Sequence, residues 1–590
     1  MTTNLPKLSR QDGPRPDFTK ERVRQSEVRA TPRVTFRTEP AKKIPKEESP
    51  PTHRSMRYFI EAIVVLALAV SVFRTFIVEG FMISTGSMAP RIRGYHYRIT
   101  CPDCQFSFAH TATEISPEKD PQHNPAGHHL TCPNCHYDRI LLSGQPINEG
   151  DQILVDKQAY EWRSPERWDA IVFRNPQRPA QSYSKRIVGL PGETLQLREG
   201  DVFINGDIQR KGLLAQRQMR ILVTDSRNQP QLQDENWRSP WSIEPNSEDP
   251  SWQIQKDGFH FEPSVTSQAS ENVFQQWLTY KNWVRRGGGH RYRVPLKDWP
   301  IDLPLPSENA VLRFDSTEKE LSCRGALPAD IVEKLRVLTV DTTFHDALIQ
   351  LFEQSHLRPI TDWEAYNEQS GLIPMTVSDV MVRMEVSAAS PQSQIQLRLN
   401  DGWYDFQCRF DFTKRIAELS LHGQKKILRA GDLPELPFEE MIEIEMSVMD
   451  RQVLVAVNGE VLFEPYAYRA EKETRDEVVD PVHVQCQDGP VSIARMQVFR
   501  DIAYRKSADD LEISEASTKY KIGPDEYFVL GDNSIVSIDS RYWPRGSVKP
   551  SLIIGRPLVL HLPSRKQIIE IGSLKTQIRV PDFDRVRMLR

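Results

Sequence analysis

The segment from Tyr58 to about Val78 constrains this chain most. About 20 predominantly apolar residues, rising 1.5 Å each, cross the hydrocarbon of a bilayer. Ala62 to Phe73 is an unbroken run of apolar and small residues, with Phe59 and Ile60 before it and Phe76 to Val78 after. Glu61 and Arg74 flank that run, where a long arginine can snorkel to an interface. The alternative is a buried helix of a soluble domain. A cleaved leader fits poorly, because a long tail precedes the segment and Arg74-Thr75-Phe76-Ile77 offers no small-residue cleavage site. Residues 1–56 are polar, proline-rich and basic, which predicts a disordered tail. Their charge predicts a cytoplasmic N-terminus. Everything after Val78 is then expected outside the cytoplasm, since no later run is long and apolar enough to return the chain.

The 590 residues leave room for about three or four domains. A net charge of -4 gives no argument for a nucleic-acid partner. The 43 prolines favour loops and edge strands over long helices. Of the 7 cysteines, four form two tight pairs, Cys101-Pro102-Asp103-Cys104 and Cys132-Pro133-Asn134-Cys135. A Cys-X-X-Cys turn points two sulfurs at one centre, and two such knuckles supply the four thiolates of a closed structural Zn²⁺ ribbon. Disulfides are the alternative, which an exported compartment permits. His110, His123, His128, His129 and His136 read as loop residues beside a complete ligand set.

Strand signals follow. Gly150-Asp151-Gln152-Ile153-Leu154-Val155-Asp156-Lys157, Arg167-Trp168-Asp169-Ala170-Ile171-Val172-Phe173 and Tyr183-Ser184-Lys185-Arg186-Ile187-Val188 are β-branched and aromatic. Gly200 to Gly206 reads as a strand running into an Asn-Gly turn. From about 375 to 505 apolar residues alternate, as in Met381-Val382-Arg383-Met384-Glu385-Val386 and Gln394-Ile395-Gln396-Leu397-Arg398-Leu399. Period-2 strands with turn signals between them predict an antiparallel sandwich, similar to the concanavalin-like jelly rolls. Trp237, Trp241, Trp252, Trp277 and Trp283 read as core rather than as a sugar platform. Ala329 to Gln354 predicts a helix or two.

Three stretches carry the chemistry. Phe81-Met82-Ile83-Ser84-Thr85-Gly86-Ser87-Met88-Ala89-Pro90 puts a serine beside a glycine just after the apolar segment. Lys185-Arg186-Ile187-Val188-Gly189-Leu190-Pro191-Gly192-Glu193 and Gly531-Asp532-Asn533-Ser534-Ile535-Val536-Ser537-Ile538-Asp539-Ser540-Arg541-Tyr542-Trp543 follow in that order. Together they resemble the signal peptidase I family, membrane-bound Ser-Lys endopeptidases that remove leader peptides from exported proteins. The resemblance implies Ser87 as nucleophile and Lys185 as its base. A serine hydroxyl needs such a base, and a lysine serves only if burial lowers its pKa. It implies an oxyanion site made of the Ser87 N–H and the Thr85 hydroxyl, Ser537 orienting the lysine, and Asp539 with Arg541 bracing the loop. An extended substrate would lie beside Phe81, Met82 and Ile83 and beside Tyr183 and Ser184. Leader peptides end in small residues, so shallow apolar pockets are implied. Three departures stand out. Ser84-Thr85 replaces the usual Pro-Ser, Trp168 stands where a glycine is usual, and Pro544 follows Trp543 in place of glycine.

The expected fold class is mainly β. It has a tail (1–56), a transmembrane helix (57–78), a catalytic domain in three parts (79–100, 141–210 and 521–590 with a C-terminal tail), a zinc-ribbon-like insertion (101–140) and an inserted domain (211–520). The expected partners are preprotein signal peptides and the bilayer, with no nucleic acid. Catalysis needs no cofactor, and Zn²⁺ would be structural. The expected location is the cytoplasmic membrane, single-pass, with the catalytic domain outside. The other reading is a catalytically weak tethered scaffold that binds envelope proteins or glycans through its insertions. A self-cleaving Ser-Lys regulator of the DNA-damage type would need a DNA-binding domain, and none is visible before Ser87.

Overall fold

The computed structural model describes residues 52–112, 129–245, 251–263, 276–285, 290–307, 310–370, 374–435, 440–472, 474–505, 519–544, 546–561, 563–571 and 574–589. Nearly all of the expected tail, together with His123 and His128, lies outside them. The described residues divide into two units after Leu68.

One helix runs from Thr52 to Phe76. Within it Met56–Phe76, 21 residues, is long and apolar enough to cross a membrane, and its side chains are exposed throughout. The helix stops two residues short of the expected boundary. Val78–Met82 is already a strand, held by antiparallel pairing with Gln152–Asp156. Lys157 Nζ donates to Thr75 O at 2.9 Å, placing a cation at the helix C-terminus, where the backbone dipole favours it.

The sheet that carries Lys185 is antiparallel. Its strands lie in the order Val78–Met82, Gln152–Asp156, Ile553–His561, Ala170–Arg174, Ser182–Gly189 and Phe528–Leu530, and Arg587–Met588 pairs with the third. The long strand Ser182–Gly189 is buried from Ser184 onward, because the sheet is covered on both faces there. Its successive side chains point to opposite faces, so Lys185 and Arg186 serve two different networks. Phe528–Leu530 delivers Gly531 directly after the sheet, beside the lysine strand.

A small second sheet, ordered Asp207–Ile208, Asp201–Ile204, Thr194–Arg198 and Tyr520–Lys521, is where the insertion leaves and returns. The Asn205-Gly206 turn has φ of 53° and 99°, the left-handed pair that a two-residue hairpin needs. Trp168 also has a positive φ, 73°. That backbone accounts for a glycine suiting the position. Here the strained residue is held by what surrounds it. Its carbonyl accepts from Arg186 Nη1 at 2.7 Å, and its ring lies 4.9 Å from Lys211 Nζ.

The insertion is a two-sheet sandwich with a smaller α/β lobe. One sheet runs through Trp252–Gln255, Gly258–Phe261, Val491–Arg500, Val380–Ala388, Ile442–Met449, Gln452–Val457 and Glu460–Val461. The facing sheet runs through Trp241–Glu244, Trp277–Tyr280, Val482–Gln487, Gln394–Asn400, Asp405–Asp411, Ile416–Leu421 and Ile427–Asp432. Val382, Met384 and Val386 meet Ile395, Leu397 and Leu399 in one fully buried core, which also takes in Trp241 and Trp252. The lobe packs helices Ala329–Leu338 and Thr342–His356 against a three-stranded sheet, around Trp283 and Phe344. Buried charges join the first residue of the insertion to its sandwich. Lys211 Nζ lies 2.5 Å from Asp450 Oδ1 and 2.8 Å from Asp501 Oδ2.

Candidate active site and cysteine cluster

Ser87 sits on a short turn closed by Ala89 N donating to Gly86 O at 3.0 Å. Met88 and Ala89, each 1% exposed, anchor that turn in the core, and Ser87 itself is half-buried. Ser87 Oγ lies 3.4 Å from Thr85 Oγ1. Lys185 is buried, and its Nζ donates to Ser537 Oγ at 2.8 Å. Burial pulls the lysine down from 10.5 to about 8, with Asp539 opposing the shift and Arg541 assisting it. The Tyr183 ring lies 5.9 Å from the same nitrogen.

Gly531 is the point where the three stretches meet. A methyl on its Cα would sit 2.2 Å from Ser537 Oγ and 2.4 Å from the Ser87 carbonyl oxygen. Those two oxygens are therefore no more than about 4.6 Å apart, the sum of the two distances. The lysine amine is hydrogen-bonded to the first of them, so the Ser87 turn, Lys185 and Ser537 converge. No hydrogen bond joins Ser87 Oγ to Lys185 Nζ among the described residues. Gly531→Ala is expected to lower stability by about 1–3 kcal/mol through overpacking and to suppress activity. Thermal unfolding and substrate cleavage measured together check both.

Asp539 and Arg541 form a buried pair at 2.7 Å. Burial opposes the carboxylate's charge, but Arg541 and the Gly531 N–H, which donates at 3.0 Å, hold Asp539 below the usual range. Arg541 also donates to Ser534 O at 2.9 Å and to the carbonyl of Arg505, the residue at which the chain returns from the sandwich. Of the expected substrate-contacting residues, Phe81 and Ile83 pack onto the Met88 core while Met82 is 52% exposed. Tyr183 is half-buried. Ser184 is buried with a hydroxyl that has no hydrogen-bond partner among the described residues.

Several residues of this site carry no assignment from the sequence. Arg186 grips Asp532 with two bonds of 2.7 and 2.6 Å, both side chains buried. Asn533 N donates to Ser87 O at 3.1 Å, and its Nδ2 donates to Gly86 O at 2.9 Å. The adjacency of Arg186 to Lys185 and of Asp532 to Gly531 was the available signal. A residue next to a functional one in a doubly buried strand must itself be satisfied.

The four paired cysteines also converge. Cys101, Cys104, Cys132 and Cys135 are buried, and their sulfurs all lie within 4.8 Å of one another. Cys101 Sγ is 3.7 Å from Cys135 Sγ, and Cys104 Sγ is 3.6 Å from Cys132 Sγ. A disulfide would need about 2.05 Å. A tetrahedron with Zn–S bonds of about 2.3 Å has edges near 3.8 Å, so the donor set fits that ion. Both knuckles use one design. Gln105 N donates to Cys101 O and His136 N to Cys132 O, each at 3.0 Å, with Gln105 and His136 at φ of 60° and 57°.

The model of a family described as signal peptidase, peptidase S26, matches residues 144–248 and 444–561. Lys185, Ser537, Asp539 and Arg541 fall within these residues, and Ser87 precedes them. Over 83 residues the chain is 36% identical to signal peptidase I of Pseudomonas aeruginosa, covering 12% of this chain and 29% of that protein. Over 67 residues it is 41% identical to signal peptidase I of Leptolyngbya laminosa, covering 10% of this chain and 33% of that one. The chain thus spans about a third of the length of the curated relatives it matches. Among solved structures, a galectin of Caenorhabditis elegans aligns over 20% of this chain and 81% of its own at 13% identity, with a TM-score of 0.16. The matched residues carry the buried lysine, its serine partner and the Asp–Arg brace, and over them the chain is similar to the signal peptidase family, peptidase S26.

Proposed function

We propose that this chain is a membrane-tethered serine endopeptidase of the Ser-Lys type that removes leader peptides from exported preproteins. The observation that carries the proposal is Lys185, a buried amine 2.8 Å from Ser537 Oγ, beside the Ser87 turn. A lysine held near 8 is partly neutral at physiological pH and can accept a proton. In this reading Ser87 Oγ attacks the scissile carbonyl carbon and Lys185 takes its proton. The tetrahedral oxyanion is held by the Ser87 N–H and the Thr85 hydroxyl. As the C–N bond breaks, the lysine ammonium returns the proton to the leaving amine. Water, deprotonated by Lys185, then hydrolyses the acyl-serine and frees the nucleophile. Asp539 and Arg541 keep the loop carrying Ser537 in place, and Ser537 aims the amine. The substrate adds as an extended strand between Phe81–Ile83 and Tyr183–Ser184.

The N-terminus is proposed to be cytoplasmic and the catalytic domain external, on the charge of the segment before the helix. The four cysteines are proposed to hold one structural Zn²⁺, separate from the peptidase chemistry. The test is cleavage of a purified preprotein in detergent by the wild-type chain and by Ser87→Ala. Cleavage after a small residue, reduced at least about 10³-fold in the variant, is expected. A folded wild-type chain that cuts none of several leaders would overturn the proposal and favour a scaffold that docks partners through its sandwich.

A further inference from the structure

The inserted domain does more than hang from the catalytic sheet, because two of its side chains reach the nucleophile turn. The short helical turn Ala365–Ser370 belongs to the expected insertion, yet its Tyr366 meets Gly86 and its Asn367 meets Asn533. Tyr366, 1% exposed, packs against Gly86, where a methyl would sit 2.4 Å from its Cε1. Asn367, 6% exposed, makes a reciprocal amide pair with Asn533. Its Nδ2 donates to Asn533 Oδ1 at 2.5 Å, and Asn533 Nδ2 donates to Asn367 Oδ1 at 3.0 Å.

Asn533 is the hub between the two catalytic stretches. Its N–H donates to Ser87 O at 3.1 Å, its Nδ2 to Gly86 O at 2.9 Å, and its carbonyl accepts from Ser537 N at 3.1 Å. Its side-chain rotamer decides whether the bond to Gly86 O exists, and Asn367 fixes that rotamer from the other side. Asn367 is itself held firmly. His110 Nδ1, from the cysteine-bearing insertion, lies 2.9 Å from Ala365 O, and Ala89, Ala109 and Tyr366 share one small buried cluster.

We infer that Asn367, supplied by the insertion, is a positioning residue for the Ser87 turn: through its amide pair with Asn533 it sets where the nucleophile stands. The inference rests on the Ser-Lys reading of the site. Displacing a nucleophile by about 1 Å costs up to about 100-fold in rate, and an alanine at 367 frees the Asn533 amide to turn away from Gly86.

The test uses the full-length chain in detergent and two readouts. In preprotein cleavage, Asn367→Ala is expected to lower kcat about tenfold while leaving KM and the midpoint of the pH profile unchanged, since Ser537 still holds Lys185. Asn367→Asp keeps the shape but loses the donor to Asn533 Oδ1, and serves if the alanine variant is unstable by thermal unfolding. The second readout needs no peptidase activity. In a Ser87→Cys background, the rate at which iodoacetamide alkylates the thiol at position 87 is expected to rise several-fold when Asn367→Ala is added. The other seven cysteines are buried, which keeps that signal separable. An unchanged alkylation rate overturns the inference, whatever the cleavage assay shows. A wild-type chain that cleaves nothing overturns the Ser-Lys reading and leaves alkylation to decide the positioning.

Discussion

Lys185→Ala is expected to reduce kcat for leader cleavage by about 10³- to 10⁶-fold, with little change in KM. The substitution removes the only group hydrogen-bonded to Ser537 Oγ through a titratable nitrogen among the described residues, and with it the proposed proton acceptor for Ser87. The pH profile of the wild-type chain gives the sign. Burial disfavours the charged amine and brings it from 10.5 to about 8, and the neutral form is the base. Below that value kcat/KM should climb about tenfold per pH unit as the ammonium loses its proton, and above it the profile should flatten. Asp539 opposes the depression. Asp539→Asn should therefore move the basic midpoint to lower pH in whatever fraction folds, because a negative charge near the amine is gone. It should also cost about 3–5 kcal/mol of stability by leaving Arg541 buried without its partner. A profile that is flat from pH 6 to 9, or a Lys185→Ala variant with wild-type kcat, would exclude Lys185 as the base.

The residues of the candidate site were more legible than the architecture around them, for a physical reason. Lys185, Ser537, Asp539 and Arg541 sit in short strings whose spacing is dictated by one strand and one loop, so a linear reading captures them. Asn533 lay in the same string, yet its importance depends on Asn367, 166 positions earlier, and no local pattern connects the two. The sandwich was recognisable from Val380 to Arg500, where most strands run to six to ten residues and give alternation long enough to count. Its remaining strands, Trp241–Glu244, Trp252–Gln255, Gly258–Phe261 and Trp277–Tyr280, have four residues each, too few for a period to declare itself. Of the five tryptophans expected in a core, Trp241, Trp252 and Trp283 are buried, at 4%, 1% and 8% exposure, whereas Trp237 and Trp277 are half-buried. Ser551 to Pro563, readable as one strand or two, is the single strand Ile553–His561, and it occupies an interior place in the catalytic sheet. The chain beyond it was legible only as a tail. Arg585 there makes two bonds to Asp151, at 2.7 and 2.6 Å, a contact across 434 positions that nothing local announces. Trp168 shows the converse. Its departure from glycine was visible, but only the backbone at φ 73° explains why a departure there is unusual.

Cys132→Ser is expected to abolish metal binding and to disable the peptidase as a consequence. Zn²⁺ held by four thiolates contributes about 10–16 kcal/mol of binding free energy, which in a small ribbon is folding free energy. The ribbon has little else to stand on. Its core is Ile99, Phe108, Leu130, Ile140 and Leu142 around the cysteines themselves. Its polar contacts face the insertion. Asp103, fully buried, meets Arg285 Nη2 at 2.5 Å and accepts from the N–H groups of Gln231 and Leu232, each at 2.7 Å. Asn134 Nδ2 donates to Asn228 O at 2.7 Å, and Asn134 Oδ1 accepts from Asp225 N at 2.6 Å. A knuckle that loses its metal therefore loses its grip on residues 225–232, and on Ala365 through His110. From Ala365 the path to Ser87 is two residues and one amide pair long. Elemental analysis of the purified wild-type chain should give one zinc per chain, and the variant close to none. Hydrogen exchange should show the strands His96–Thr100 and Ser107–Thr111 unprotected, while the core of the sandwich stays protected, since its apolar contacts do not involve the cysteines. Cleavage should fall more than it does in Asn367→Ala, because the whole turn Ala365–Ser370 loosens rather than one side chain. Wild-type chain isolated free of metal with intact activity, or a Cys132→Ser variant that cleaves normally, would show that the cysteine cluster does not support the site.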